Sequence, residues 1–171
     1  MKEINIINLD NNDIRLLPEA YNIGFTQFSS LLYLHYDLDG IISFAGSYIE
    51  FNNRIIFEQS IPKTILDGIM RLCDNENYTY TLHSETADFS NKIKVNTKIL
   101  TLPIEDFDYD IYAIYSINIM IDKLMLDEFV GKLPSIFKMC IISKDEENIE
   151  LLLNISQDVK SSVASIKEFC V

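Results

Sequence analysis

The chain has 171 residues, enough for one ordinary core or a core with a small added layer, and its 48% hydrophobic content argues against disorder. Its 26 acidic and 14 basic residues give a formal net charge of −12. That argues against nucleic acid and anionic membrane as partners, because a phosphate surface rewards a basic patch. No run of about 18 apolar residues marks a membrane helix. Met1 to Asn5 lacks the apolar core of a signal peptide, so the expected location is the cytoplasm. Cys73, Cys140 and Cys170 are far apart, with no Cys-x-x-Cys, and read as reduced, mostly buried thiols. With only the isolated His35 and His83 beside them, they do not suggest a zinc site.

Ile4, Ile6 and Ile7 make a short apolar strand that stops at the Asn/Asp cluster from Asn8 to Asp13, a turn signal. Phe25, Phe28, Leu31, Leu32 and His35 recur at helical spacing, so a helix is expected over about residues 25 to 36, ended by Asp39-Gly40. Ile41 to Phe44 and Tyr48 to Phe51 read as strands, and Asn52-Asn53 as a hairpin turn into Arg54 to Phe57. Ser60 suits an N-cap, with Pro62 in the first turn of a helix to about residue 75. Along that helix Ile65, Leu66, Ile69, Met70 and Cys73 form an apolar stripe. Ile65, Ile69 and Leu72 are expected on its buried face and Asp67 on its solvent face, where loss of the carboxylate is nearly silent.

Tyr78, Tyr80 and Leu82 alternate with Thr79, Thr81 and His83, a strand exposed on one face. Residues 84 to 108 are polar and weakly patterned and read as a connection. Ile111 to Ile121 reads as a buried strand, Leu124 to Val130 as a helix stopped by Gly131 and Pro134, and Ile136 to Ile142 and Ile149 to Ile155 as strands. Val159, Val163, Ile166 and Cys170 space a final helix. The pattern is α+β.

The stretch Ile41-Ile42-Ser43-Phe44-Ala45-Gly46-Ser47-Tyr48-Ile49, continued by Asn53 to Phe57 and Ile61-Pro62-Lys63, resembles the segment that enters the cap of Cof-type haloacid dehalogenase-like (HAD, cap class IIB) phosphatases. The resemblance implies a C2 cap-like α/β sandwich, with an antiparallel or mixed sheet and helices on one face, plus remnants of a Rossmann-like core. It implies residues 1–45 as core remnant, 46–155 as cap and 156–171 as a helix that is a further core remnant, or else one compact domain. The family hydrolyses small phosphate esters with an Asp-x-Asp pair at a strand tip. The first Asp attacks phosphorus, and the second protonates the leaving group and later activates water.

Two places compete for that pair. By context, Ile6-Ile7-Asn8-Leu9-Asp10 puts Asn8 at the nucleophile position and keeps Asp10 at the acid/base position. An amide is a far weaker nucleophile than a carboxylate and brings no negative charge to Mg²⁺. By letters, Asp37-Leu38-Asp39-Gly40 matches, but Ile41 stands where the family has Thr, and the flanking residues fit better as an acidic loop that ends a helix before the cap strand. The family's Thr-Gly-Arg or Ser-Gly-Arg is missing between Asn8 and Ala45, and the Asn-Gly of cap entry has become Ala45-Gly46. Lys160, in Val159-Lys160-Ser161-Ser162, resembles the family's phosphate-pairing Lys, and the Mg²⁺-holding Gly-Asp-x-x-x-Asp has no counterpart up to Val171.

The resemblance therefore leads to an expectation of a degenerate family member without phosphatase activity by itself. It would bind a phosphorylated small molecule or self-associate. One alternative is an active phosphatase using Asp37, Asp39 and Mg²⁺. Another is an unrelated α+β interaction domain. No cofactor is expected unless the active alternative holds. The 9 Tyr and 10 Phe, spread over the expected strands and helices, read as core.

Overall fold

The computed structural model describes residues 4–8, 32–33, 36–93 and 100–155. Two sheets share them. The smaller has the order β1-β2-β3-β4, formed by β1 (Ile6–Asn8), β2 (Gly40–Ser43), β3 (Tyr48–Phe51) and β4 (Arg54–Glu58). β1 runs parallel to β2, with Ile6 opposite Gly40 and Asn8 opposite Ile42. The other pairs are antiparallel.

Asn52 and Asn53 have φ of 49° and 59°. Asparagine tolerates this left-handed region, and two such residues make the turn whose twist suits a hairpin. Gly40 opens β2 because a Cβ there would stand 2.8 Å from the Glu50 carbonyl oxygen. Alternation places Ile42, Ile49 and Phe51 in a small core with Ile6, Ile56 and Phe57. Ile41, Ser43, Tyr48 and Glu50 therefore point to the other face.

Helix α1 (Lys63–Asn75) leads into the larger sheet. Its strands are β5 (Thr79–His83), β6 (Asp88–Ser90), β7 (Thr101–Pro103), β8 (Ser116–Asp122), β9 (Lys138–Lys144) and β10 (Asn148–Asn154). The order is β7-β6-β5-β8-β10-β9, antiparallel except for β6 and β7. Helix α2 (Leu126–Lys132) follows β8. Both helices cover one face. Leu66, Ile69 and Cys73 of α1 and Phe129 of α2 join Tyr80, Leu82, Phe89, Ile117, Ile119, Ile121, Leu151 and Leu153 in the main core. The other face carries Thr81, His83, Ser116, Asn118, Glu150 and Asn154. The fold is thus mixed α+β, with helices on one face of the larger sheet. The boundary expected at residue 46 falls inside the smaller sheet, because β3 and β4 stay paired to β2, and the change of sheet comes after Glu58.

Several local expectations shift. Pro62, not Ser60, is the N-cap residue of α1, without a side-chain cap bond. The buried residues of α1 are Leu66, Ile69 and Cys73, while Ile65 and Leu72 only flank the core. Burial pushes the Cys73 thiol up to about 12, with Asp74 adding to the effect. Cys140 is exposed on the edge strand β9 rather than buried. β8 begins at Ser116, not Ile111. Asp108 holds the preceding residues in a turn, accepting from Asp110 N–H through Oδ1 at 2.8 Å and from the Ile111 and Tyr112 N–H groups through its carbonyl. The weakly patterned stretch 84 to 108 contains β6 and β7, whose three residues each are too few to display a period. Of the helix expected over 25 to 36, residues 32, 33 and 36 are described, and Tyr36 N–H donates to the Leu32 carbonyl at 2.9 Å. The helix expected near Val159 to Cys170 lies outside the described residues.

Asp67 is not a free solvent group, since it accepts the Tyr109 hydroxyl across from α1. Its loss strands a half-buried phenol. Asp67→Ala should therefore lower the urea unfolding free energy by about 1 kcal/mol rather than leave it unchanged. A midpoint equal to that of the unaltered chain would show that the bond contributes nothing.

Candidate functional site between the two sheets

Parallel strands present their ligands at their carboxyl ends. Here that end is marked by Asn8 on β1 and by Ser43 on β2. β2 runs on into a tight 3₁₀ turn, Phe44–Gly46, with φ of 49° at Phe44 and 92° at Gly46. The larger sheet meets this turn with its polar face. Asn154 Nδ2, at the end of β10, donates to the Phe44 carbonyl at 3.1 Å. The Tyr115 ring stacks on Phe44 with centroids 5.3 Å apart and meets Tyr48 edge-on at 5.4 Å. The Ile61 N–H donates to the Ile114 carbonyl at 2.7 Å, tying the connection from β4 to the same place.

The junction is acidic. The Tyr115 hydroxyl lies 2.8 Å from Glu58 Oε2 on the smaller sheet and 2.9 Å from Glu85 Oε1 on the larger. Burial, then hydrogen bonds to Glu58 and Glu85, holds the Tyr115 phenol far above the usual tyrosine range. Tyr48 is raised by burial and then by Glu85, Glu50 and Glu58. Glu50 is raised by burial and then by Glu85. Two carboxylates thus share the Tyr115 hydroxyl, and Glu50 lies on the same sheet face as Tyr48. Ser43 and Ser47 are buried, and their hydroxyls have no hydrogen-bond partner among the described residues.

A second polar line crosses the open face of the larger sheet. His83 Nδ1 stands 2.9 Å from Asp88 Oδ1. Asn118 Nδ2 donates to Glu150 Oε1 at 3.1 Å, and Ser143 Oγ donates to Glu150 Oε2 at 3.0 Å. Burial alone would lower the His83 pKa. The Asp88 charge and hydrogen bond, helped by Asn118 and Glu150, outweigh it and hold the imidazole above its usual value.

Asn8 ends β1 at the carboxyl end of the parallel pair. Asp37 and Asp39 precede β2 and so lie at the opposite end. There the Asn5 N–H donates to Asp39 Oδ2 at 3.0 Å, and Asn5 Nδ2 donates to the Asp37 carbonyl at 2.9 Å. The loop thereby pins the start of β1 to the start of β2. Asp10 and Lys160 lie outside the described residues. Among the described residues no three His, Cys, Asp or Glu side chains converge in an arrangement that could hold a metal ion. Nor is any helix there long and apolar enough to cross a membrane.

Sequence reasoning passed over Glu58, Glu85 and Tyr115. Tyr115 falls in the expected strand Ile111 to Ile121, among aromatics that read as core, and nothing in the spacing brings positions 58, 85 and 115 together.

Residues 26–168 match the family model of haloacid dehalogenase-like hydrolases. The chain belongs to this family. No curated protein matches it. Among solved structures, a hypothetical protein from Geobacillus kaustophilus HTA426 superposes with a TM-score of 0.66 at 11% identity, over 86% of this chain and 59% of that one. The HAD subclass IIB sugar phosphatase BT4131 gives 0.61 at 15% identity, over 83% and 57%. The HAD phosphatase BT1666 from Bacteroides thetaiotaomicron gives 0.64 at 12% identity, over 97% and 72%. The chain thus spans less than two thirds of the first two proteins. At these identities the likeness is one of fold, shared with HAD phosphatases that include the subclass IIB protein BT4131.

Proposed function

We propose that this haloacid dehalogenase-like protein binds a phosphorylated small molecule in the cleft between its two sheets, and that by itself it does not hydrolyse the ester. The observation that carries this reading is the polarity of the parallel pair. The turn that follows β2 meets the larger sheet through the Asn154–Phe44 bond, and the residue ending the neighbouring parallel strand β1 is Asn8. An amide in place of a nucleophilic carboxylate leaves binding possible and removes the attack on phosphorus. Asp37 and Asp39 precede β2, at the amino end of the parallel pair, which supports leaving them out of the proposed cleft.

The subclass IIB sugar phosphatase of similar fold supports a small phosphate ester as the ligand class. Titration calorimetry with glucose 6-phosphate, and with glucose as control, tests the binding half of the reading. Saturable binding of the phosphorylated form alone is the expected result. No heat from either this ester or a panel of small phosphate esters would contradict it.

A further inference from the structure

His83 ends β5 on the polar face of the larger sheet and is 7% exposed. Its Nδ1 stands 2.9 Å from Asp88 Oδ1 on β6, so that nitrogen carries a hydrogen which the carboxylate accepts. Its other nitrogen, Nε2, is buried and has no hydrogen-bond partner among the described residues. Asn118 on β8 shows the same half-made state. Its Nδ2 donates to Glu150 Oε1 at 3.1 Å, while its buried Oδ1 has no partner. The register sets His83 opposite Ser116 and Thr81 opposite Asn118, so His83 and Asn118 are diagonal neighbours on one face. Long side chains reach each other across that diagonal.

The two orphaned atoms are complementary in only one protonation state. Oδ1 is an acceptor, and the Glu150 carboxylate decides which way the amide points. A neutral imidazole with its hydrogen on Nδ1 offers only a lone pair at Nε2, so acceptor faces acceptor. An imidazolium offers N–H there, and a small torsion of either side chain completes the bond. The line then runs unbroken through Asp88, His83, Asn118, Glu150 and Ser143, on the adjoining strands β6, β5, β8, β10 and β9.

We propose that Asn118 is an amide switch thrown by protonation of His83. With the ring charged, Asn118 Oδ1 accepts from Nε2 and Nδ2 holds Glu150. With the ring neutral, the amide turns over, Nδ2 donates to Nε2, and Glu150 Oε1 is released as an acceptor on the open face. The charged groups acting on His83 are Asp88 from β6 and Glu150 from β10, and both favour the charged ring against burial. Glu85, two residues along the chain, bonds to the Tyr115 hydroxyl instead. Since the balance lies with the charged form, the amide turns on the alkaline side of the usual histidine range. The switch stands whether or not the cleft takes a phosphate ester.

Nitrogen and side-chain amide NMR of the full chain, followed from pH 5 to 9, tests it. His83 Nε2 should carry a proton at the acid end and lose it as pH rises, while Nδ1 keeps its own. The Asn118 amide resonances should move with the same midpoint, and their contacts to the His83 ring should strengthen at the alkaline end. Asn118→Ala, at a half-buried position, should weaken the proton affinity of His83 about threefold to tenfold, the worth of one hydrogen bond. His83→Gln should abolish the pH step at Asn118. An Asn118 amide that stays unmoved while His83 titrates overturns the switch. So does a ring that keeps both protons to pH 9, or one whose Nε2 is bare at pH 5. An unchanged His83 midpoint in Asn118→Ala removes Asn118 from the account.

Discussion

Replacing Ile69 with Ala should cost about 2–5 kcal/mol of unfolding free energy, the range for truncating a buried aliphatic side chain. Ile69 is 2% exposed and sits on α1 between Leu66 and Cys73, all three in the core under the larger sheet. The partners beneath, Tyr80, Leu82, Ile117 and Ile119, are strand residues whose paired backbones limit relaxation into the vacated space. The cost belongs at the upper part of that range if the strands hold still and at the lower part if α1 settles inward. Urea denaturation of the variant beside the Asp67→Ala chain separates core from rim. A loss below about 1 kcal/mol would mean that α1 does not pack on this sheet as described.

The His83–Asp88 pair should give the second large effect, and that effect should depend on pH. His83 is buried, and its folded-state pKa lies above the usual histidine value because Asp88 outweighs the effect of burial. A group with a raised folded pKa contributes stability that is fully present below the unfolded pKa, about 6.5. The contribution fades as pH rises through the folded value. Asp88→Asn removes the charge that holds the imidazolium. It should therefore cost about 3–5 kcal/mol at pH 5.5, the range for breaking a buried ion pair from one side. The cost should shrink with rising pH as the unaltered protein loses its own advantage. Thermal unfolding across pH 5 to 9 checks this. A penalty that grows with pH would reverse the sign and exclude a charged His83.

The strands and helices with a long period were readable from the sequence. The alternation of Tyr80 and Leu82 with Thr79 and Thr81 fixed β5 and its buried face, and Asn52-Asn53 fixed the hairpin between β3 and β4. The cap-entry stretch Ile41 to Ile49 led to the family that the match over residues 26–168 establishes. What escaped was local and geometric. β6 and β7 are too short to show a period. The face of α1 turned by about one residue because Leu66 and Cys73 are as apolar as Ile65 and Leu72, so pattern alone could not choose between them. The larger gap was the junction. Glu58, Glu85 and Tyr115 are far apart in the chain and meet only because the end of β4, the end of β5 and the start of β8 are brought together by two different sheets. Asp37-Leu38-Asp39 shows the converse. Its letters fit a catalytic pair, but the parallel register puts it at the amino end of β2, where it ties down Asn5.

The central claim is that the carboxyl end of the parallel pair binds but does not attack. Hydrolysis of p-nitrophenyl phosphate with Mg²⁺ present, followed by release of p-nitrophenol, tests it most directly. The rate should stay at background across pH 5 to 8, and Asp37→Asn should leave it there. Mg²⁺-dependent turnover that Asp37→Asn abolishes would contradict the account and assign the chemistry to Asp37 and Asp39.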